Sequence, residues 1–297
     1  MLEEGNGHKK ALHFSSPPRR VVSLVPSLTE SLFDLGFGDS VVGITDYCVH
    51  PSEQIGDLPR IGGPKNPKVE DILKLKPDLV LANWEENTRQ TVEALEQAGV
   101  PVWVTFPKTV RQSLDVLWAL VSIFNSNIAA ARLKTLETTL DWVTNSVSQH
   151  ARLRYFCPIW YDLYQNNRPW WMVFNRDTYS HDLLAIMGGV NIFADRQRLY
   201  PLSADLGLAH PEPTQERDVR YPRVTLEEII NGKPDIILLP SEPMDFSKLD
   251  LEQICSIMTD TPAVQDNRVY LVDGSLITWH GTRLAHALRE LPGFFTS

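Results

Sequence analysis

The chain has 297 residues, enough for two domains of ordinary size, and 43% hydrophobic against 22% charged residues is the balance of a globular protein with a core. A net charge of −9 and a pI near 5.4 exclude a nucleic-acid binder, whose phosphate partner rewards clustered Lys and Arg. No apolar stretch reaches the ~18 residues a spanning helix needs, and Cys48, Cys157 and Cys255 show neither disulfide nor metal spacing and read as buried thiols.

The first twenty residues, MLEEGNGHKKALHFSSPPRR, are polar and lack the apolar core of a secretory signal, and Arg19-Arg20 precede too short a run for a twin-arginine signal. Residues 1–18 are expected to form a flexible tail. The address is open: a cytoplasmic protein, or an exported one whose leader has been removed.

From Arg19 onward short apolar runs alternate with amphipathic stretches. VVSLVP (21–26) reads as a buried strand, and SLTESLFDLG (27–36) as a helix with a Ser27-x-x-Glu30 capping box and Gly36 as its stop. VVGIT (41–45), LVLAN (79–83) and VWVTF (102–106) continue the strand series. Between them lie the helical stretches VEDILKL and TRQTVEALEQAG. This alternation predicts a parallel sheet covered on both faces, over residues 19–125.

Val110, Leu114, Leu117, Val121 and Phe124 form one apolar stripe at helical spacing. Asn125-Ser126-Asn127 offers an N-cap for a second helix carrying Ile128, Leu133, Leu136, Leu140, Val143 and Val147. With no Gly or Pro, that helix, over 126–151, should be long and stiff.

The α/β texture then resumes over 152–297. RYFCPIWY, WWMVF, DIILLPS and VYLVDG read as strands; HDLLAIMGGV and TLEEIING read as helices. The polar, Pro-rich stretch at about 200–222 reads as a surface loop inserted in this lobe.

One phrase occurs twice. VEDILKLKPDLVL starts at Val69 and LEEIINGKPDIIL at Leu226, each an acidic pair, a short helix, Lys-Pro-Asp and an apolar strand. The repeat predicts two equivalent βα lobes on either side of the long helix.

As a set, RVVSLVPSLTESLFDLGFGDSVVGITDYCVHP, IGGPKNPKVEDILKLKPDLVLAN, GGVNIFAD and TLEEIINGKPDIILLPSEP resemble the cobalamin and ferric-siderophore substrate-binding proteins of ABC importers, the helical-backbone metal receptors. The resemblance runs in order from Arg19 to about Leu291. It implies two Rossmann-like α/β lobes with parallel sheets joined by a single rigid backbone helix, and a monomer that holds a metal chelate between its lobes. It also implies that Glu70 and Glu227 dock onto basic residues of a membrane permease. Acids in a helix's first turn have a local use as well, and Thr225-x-x-Glu228 is itself a capping box.

Ligands of open α/β folds bind beyond the carboxyl ends of strands. That rule selects Pro26 and Ser27, whose helix start offers amides; Asp46-Tyr47, where Tyr47 matches an aromatic position lining the family's cleft; and Asn83 with Trp84. In the second lobe it selects Trp160, Tyr161, Asn175-Arg176, Ser241-Glu242, and the DGSLITWHG stretch with Trp279 and His280. Of eight tryptophans, Trp84, Trp160 and Trp279 are the candidates for stacking on a flat ligand, whereas Trp103, Trp118 and Trp142 read as core. His280, in a Gly-flanked turn, could ligate a metal centre or serve as an ordinary loop residue.

No catalytic signature stands out, and no prosthetic group is implied: there is no Gly-x-Ser-x-Gly elbow, Walker loop or dinucleotide fingerprint. The expected function is therefore capture of a metal chelate, foremost a corrinoid of the cobalamin type, with haem or a ferric siderophore as alternatives, for handover to an ABC permease. A cytoplasmic chelate-delivery protein without a permease is the competing reading, and an enzyme acting on the chelate a third.

Overall fold

The computed structural model describes residues 14–296. Most of the expected tail, residues 1–13, lies outside them; 14–18 carry no helix or strand. The described residues divide into two compact units: 14–139 with 279–285, and 140–278 with 286–296.

The first unit runs β1 (Val21–Ser23), α1 (Pro26–Asp34), β2 (Val41–Ile44), a two-residue ribbon of β3 (Gly62–Gly63) and β4 (Asn66–Pro67), α2 (Val69–Lys74), β5 (Leu79–Asn83), α3 (Arg89–Gln97), β6 (Val102–Thr105) and α4 (Val110–Phe124). Its main sheet is wholly parallel, in the order β2-β1-β5-β6. β5 is buried at all five residues, as a central strand covered on both faces must be. Asn125, left-handed at φ 51°, ends α4; the Ser126 hydroxyl then accepts the Ala129 N–H and starts α5 (Asn127–Val147). α5 begins in the first unit and ends in the second.

The second unit continues with β7 (Leu153–Phe156), β8 (Trp160–Tyr164), β9 (Arg168–Met172), α6 (Tyr179–Ile186), β10 (Gly189–Asn191), α7 (Leu202–Asp205), β11 (Arg223–Thr225), α8 (Leu226–Gly232), β12 (Ile236–Pro240), α9 (Lys248–Ile257), α10 (Pro262–Gln265), β13 (Val269–Val272), α11 (Ser275–Thr278), α12 (Leu284–Glu290) and α13 (Pro292–Phe295). Its parallel sheet has the order β10-β7-β12-β13, the same second-first-third-fourth arrangement as in the first unit. The chain is thus mixed α/β with parallel sheets, as its pattern predicts.

The repeated phrase occupies the same place in both sheets. The helix of each copy is followed by a left-handed lysine, Lys76 and Lys233, both at φ 47°. The Asp two residues on closes an equivalent joint. Asp78 takes the backbone N–H groups of Arg19 and Arg20 and gives its own N–H to the Arg20 carbonyl; Asp235 takes the N–H of Arg154 and gives its N–H to the Arg154 carbonyl. Each Asp therefore pins the start of the neighbouring first strand. At the second joint the Arg154 guanidinium adds a two-pronged pair to the carboxylate (2.9 and 3.1 Å).

Several expectations are corrected. α1 starts at Pro26, with Val25 as its cap, so Ser27 is inside the first turn and makes no capping box; a proline at the first position fits because its missing N–H would have been an orphan. RYFCPIWY is split between β7 and β8, and β8, β9 and β11 form an antiparallel sheet rather than extending the parallel one. Trp142, expected in the core, and Ile128, an apolar residue of the same helix, are each 70% exposed on α5, whose buried stripe is Ala129, Leu133, Leu136, Val143 and Val147. Cys48 and Cys157 are buried as expected, but Cys255 is only half-buried. Among the described residues no helix is long and apolar enough to cross a membrane.

The stretch expected to be a plain loop is ordered instead. Asp205, at the end of α7, is buried and holds the backbone N–H groups of Leu199 (2.9 Å) and Arg223 (2.8 Å), with the Arg196 guanidinium at 3.2 Å. Burial raises its carboxyl pKa even against these partners, a sign of how dry the site is. Replacing Asp205 with Ala strands both amides and takes one of two carboxylates from the half-buried Arg196, and should cost about 3 kcal/mol in urea unfolding. Glu216→Ala, at an exposed neighbouring position, should change stability by less than about 0.5 kcal/mol.

Candidate functional site

The loops leaving the carboxyl ends of β1, β2, β5 and β6 meet on one end of the first unit. A polar base knits them together. The Asn87 side chain accepts the Asn83 N–H (2.8 Å) and donates to the carbonyls of Leu24 (3.3 Å) and Pro64 (3.0 Å). Arg60 donates to the carbonyls of Thr45 (2.9 Å) and Cys48 (2.7 Å), so the loop after β2 is tied down twice. The buried Cys48 thiol lies against the hydroxyls of Thr29 and Thr45, and burial pushes its pKa up, which keeps it a packed thiol rather than a nucleophile.

Large aromatic side chains stand above this base. Tyr47 is 64% exposed and Trp84 50% exposed. Trp84 tilts against Phe106 with centroids 6.3 Å apart, and the Lys108 ammonium sits 4.9 Å from the Phe106 ring. Trp279 meets His50 edge-on at 5.9 Å, with the Arg283 guanidinium 5.4 Å from the indole. Tyr47 runs alongside Gly63, where an added Cβ would stand 3.4 Å from its ring. Exposed aromatics gathered on loops that are themselves fixed make a receptive apolar surface.

Trp279 and His280 belong to this unit, not to the second lobe where the sequence order places them. Residues 279–285 are fastened to α1 and α4: Gly281 N–H to the Ser113 hydroxyl (2.8 Å), Thr282 N–H to the Ser31 hydroxyl (3.1 Å), Thr282 hydroxyl to Asp34 (2.7 Å), and Arg283 to Glu30 (3.0 Å). Gly281 is obligatory, since φ is +96° and an added Cβ would fall 2.3 Å from the Ser31 oxygen.

Of the candidates in this unit, Tyr47, Trp84 and Trp279 reach the surface, while Pro26, Ser27, Asn83 and His280 lie beneath it. Ser27 is buried with its hydroxyl unpartnered, and Asn83 takes the Glu85 N–H and extends its amide to Thr105 (3.4 Å) and to His280 Nε2 (3.3 Å). His280 is 6% exposed, so its place is in the base, and the metal-ligand role expected of it is not favoured by this burial. Among the described residues no group of three or more His, Cys, Asp and Glu is arranged to hold an ion.

The second-unit candidates are more dispersed. Trp160 is exposed at the start of β8, and Tyr161 is half-buried against Trp171 at 5.5 Å, its N–H on the Met244 sulfur. Both sit on the antiparallel sheet, to which the strand-end rule does not apply. Arg176 is engaged by Asp195, and Glu242 is wedged against Gly274 and takes a weak hydrogen bond from Thr278 (3.4 Å). The strand-end rule applied to VWVTF would have found Phe106. Nothing in the sequence marks Asn87 or His50.

Burial alone holds the His280 imidazole down at about 4, against an ordinary value of 6.5. The unfolded chain therefore binds the proton first, so the stability that His280 allows is complete above pH 6.5 and is lost as the pH falls to about 4. The full effect is about 3 kcal/mol. Urea unfolding of His280→Gln between pH 7 and pH 4.5 should lose much of the wild-type slope; an unchanged slope would assign the acid sensitivity elsewhere.

The comparisons with known proteins agree with this fold. The vitamin B12-binding protein of Vibrio cholerae is 25% identical over 223 residues, covering 74% of this chain and 70% of that one. The solved structure of periplasmic vitamin B12-binding protein BtuF of Vibrio cholerae superposes with a TM-score of 0.73 at 22% identity, covering 94% of this chain and 96% of the other. The periplasmic heme-binding protein RhuT from Roseiflexus sp. RS-1 gives a TM-score of 0.69 at 23% identity, covering 95% and 98%. The profile described as periplasmic binding protein matches residues 21–276, so the chain belongs to that family, which supplies ABC importers with substrate-binding proteins rather than enzymes.

Proposed function

We propose that the chain captures a corrinoid, with the aromatic set of the first unit, the exposed Tyr47 and Trp84 and the half-buried Phe106 and Trp279, taking up its macrocycle, and delivers it to an ABC permease. The observation that carries this reading is the pairing of exposed flat rings with a hydrogen-bonded base that fixes their loops. A macrocycle offers a wide apolar face, and rings already held in place lose little freedom on meeting it. The vitamin B12-binding relatives support a corrinoid as the first choice; the heme-binding neighbour supports haem as the second.

Glu70 and Glu227 are the proposed docking residues, and their neighbours explain why. In each copy of the phrase the second acid is used within the fold. Asp71 pairs with Lys74 (2.7 Å); Glu228 completes the Thr225 capping box and pairs with Arg196 (3.1 Å). The first acid of each pair is exposed on the opening turn of its helix and has no ion-pair or hydrogen-bond partner among the described residues. Two exposed carboxylates at equivalent positions suit recognition by two basic sites better than they suit stability.

Isothermal titration with cobalamin, cobinamide, haem and a ferric siderophore panel should give corrinoid binding at about micromolar affinity or tighter, weakened at least about ten-fold by Trp84→Ala. Absence of heat with all four classes would end the proposal. The double variant Glu70→Arg with Glu227→Arg should bind ligand like the parent yet fail to support uptake in cells carrying the cognate permease. Unimpaired uptake would remove the docking assignment.

A further inference from the structure

The ordered segment of the second unit, from Asp195 to Thr225, gathers arginines that the chelate reading does not use. Most have carboxylate partners. Arg196 pairs with Asp205 (3.2 Å) and Glu228 (3.1 Å), Arg217 with Glu212 (3.6 Å), and Arg220 with Asp218 (2.6 Å). Arg198 and Arg223 differ: among the described residues neither has a carboxylate within ion-pair distance.

These two are brought together by construction. The Asp205 carboxylate holds the backbone N–H of Leu199 with one oxygen and that of Arg223 with the other. The Arg198 N–H is fixed on the Val219 carbonyl (2.9 Å). The Tyr200 ring, its hydroxyl anchored on the Asp218 carbonyl, has the guanidinium of Arg198 at 4.3 Å and that of Arg217 at 4.4 Å. Arg223 lies 5.8 Å from the Trp170 ring, gives one N–H to the Tyr221 carbonyl (2.7 Å), and leaves most of its donors unused. Beneath it the Trp170 indole N–H is buried without an acceptor.

We propose that Arg198 and Arg223, aligned by Asp205 and backed by Tyr200 and Trp170, form an oxyanion-binding site that takes a phosphate or carboxylate group. Two half-buried guanidiniums within electrostatic reach of each other repel, and a doubly accepting oxyanion removes that cost while meeting their forked donors. Burial lowers the Arg223 pKa first and the Arg198 charge lowers it further, while the Asp205 and Asp218 carboxylates pull the other way. The oxyanion is a free ion such as inorganic phosphate, whose oxygens match the forked donors.

The test uses the full chain. Inorganic phosphate is titrated calorimetrically at low ionic strength into wild type, Arg198→Gln, Arg223→Gln and Arg198→Lys, with circular dichroism checking that each variant is folded. The site predicts phosphate binding that falls at least about ten-fold in Arg198→Gln and less in Arg198→Lys, which keeps the charge but loses the fork. Equal phosphate binding by wild type and Arg198→Gln overturns the proposal; should Arg223→Gln fail to fold, the Arg198 variants carry the decision.

Discussion

The buried pair of Glu30 and Arg283 joins residues 253 positions apart, with both side chains less than one-tenth exposed. Taking two charges out of water costs several kcal/mol per ion, and the attraction between them returns that cost only when the geometry is good. Such a pair adds little net stability, yet losing one partner leaves a buried charge and is expensive. It therefore acts as a selector of arrangement. Arg283 has one low-energy place to go, on α1, and with it go Thr282 onto Ser31 and Asp34, and Gly281 onto Ser113. Trp279 and His280 are carried along, so the aromatic surface of the first unit is completed by a segment from near the far end of the chain.

The same constraint explains why His280 is buried and neutral. Once Arg283 is seated, His280 falls beside Asn83 at the end of β5, and Asn83 is itself bonded to Asn87 through its N–H. From Glu30 to the exposed Trp84 the path runs through Arg283, the backbone from Arg283 back to His280, and the His280–Asn83 contact. These buried links fix the loops they join before any ligand arrives.

Much of the fold was legible in the sequence because it depends on period and punctuation. Two all-buried strands preceded by Lys-Pro-Asp announced the equivalent sheets, and the structure adds that Asp78 and Asp235 close the same joint. The Thr225–Glu228 capping box was readable, and it is present. Ser27–Glu30 has the same spelling and forms no box, because Pro26 moves the cap two residues back to Val25 and Arg283 claims Glu30. The antiparallel β8–β9–β11 sheet was hidden by its own composition: WWMVF looks like any buried strand, and strand direction is set by partners far away in sequence. The placement of residues 279–285 was hidden for the same reason, since one buried charge pair decides it and no periodicity reports it.

Exposed tryptophan is by itself a poor sign of function, and this protein holds the contrast within one chain. Trp142 is more exposed than Trp84, at 70% against 50%, but it stands on the outer side of α5 with no aromatic neighbour among the described residues. Isolated apolar side chains of that kind are common on any surface. Trp84 has Phe106 beside it, a strand end beneath it, and Asn83 and Asn87 fixing the turn from which it projects. Its exposure is thus imposed by structure that could as easily have been spent on burying it. A chain that invests buried hydrogen bonds in keeping an indole in water gains nothing in stability from the arrangement, and that cost is offset only when something else covers the ring.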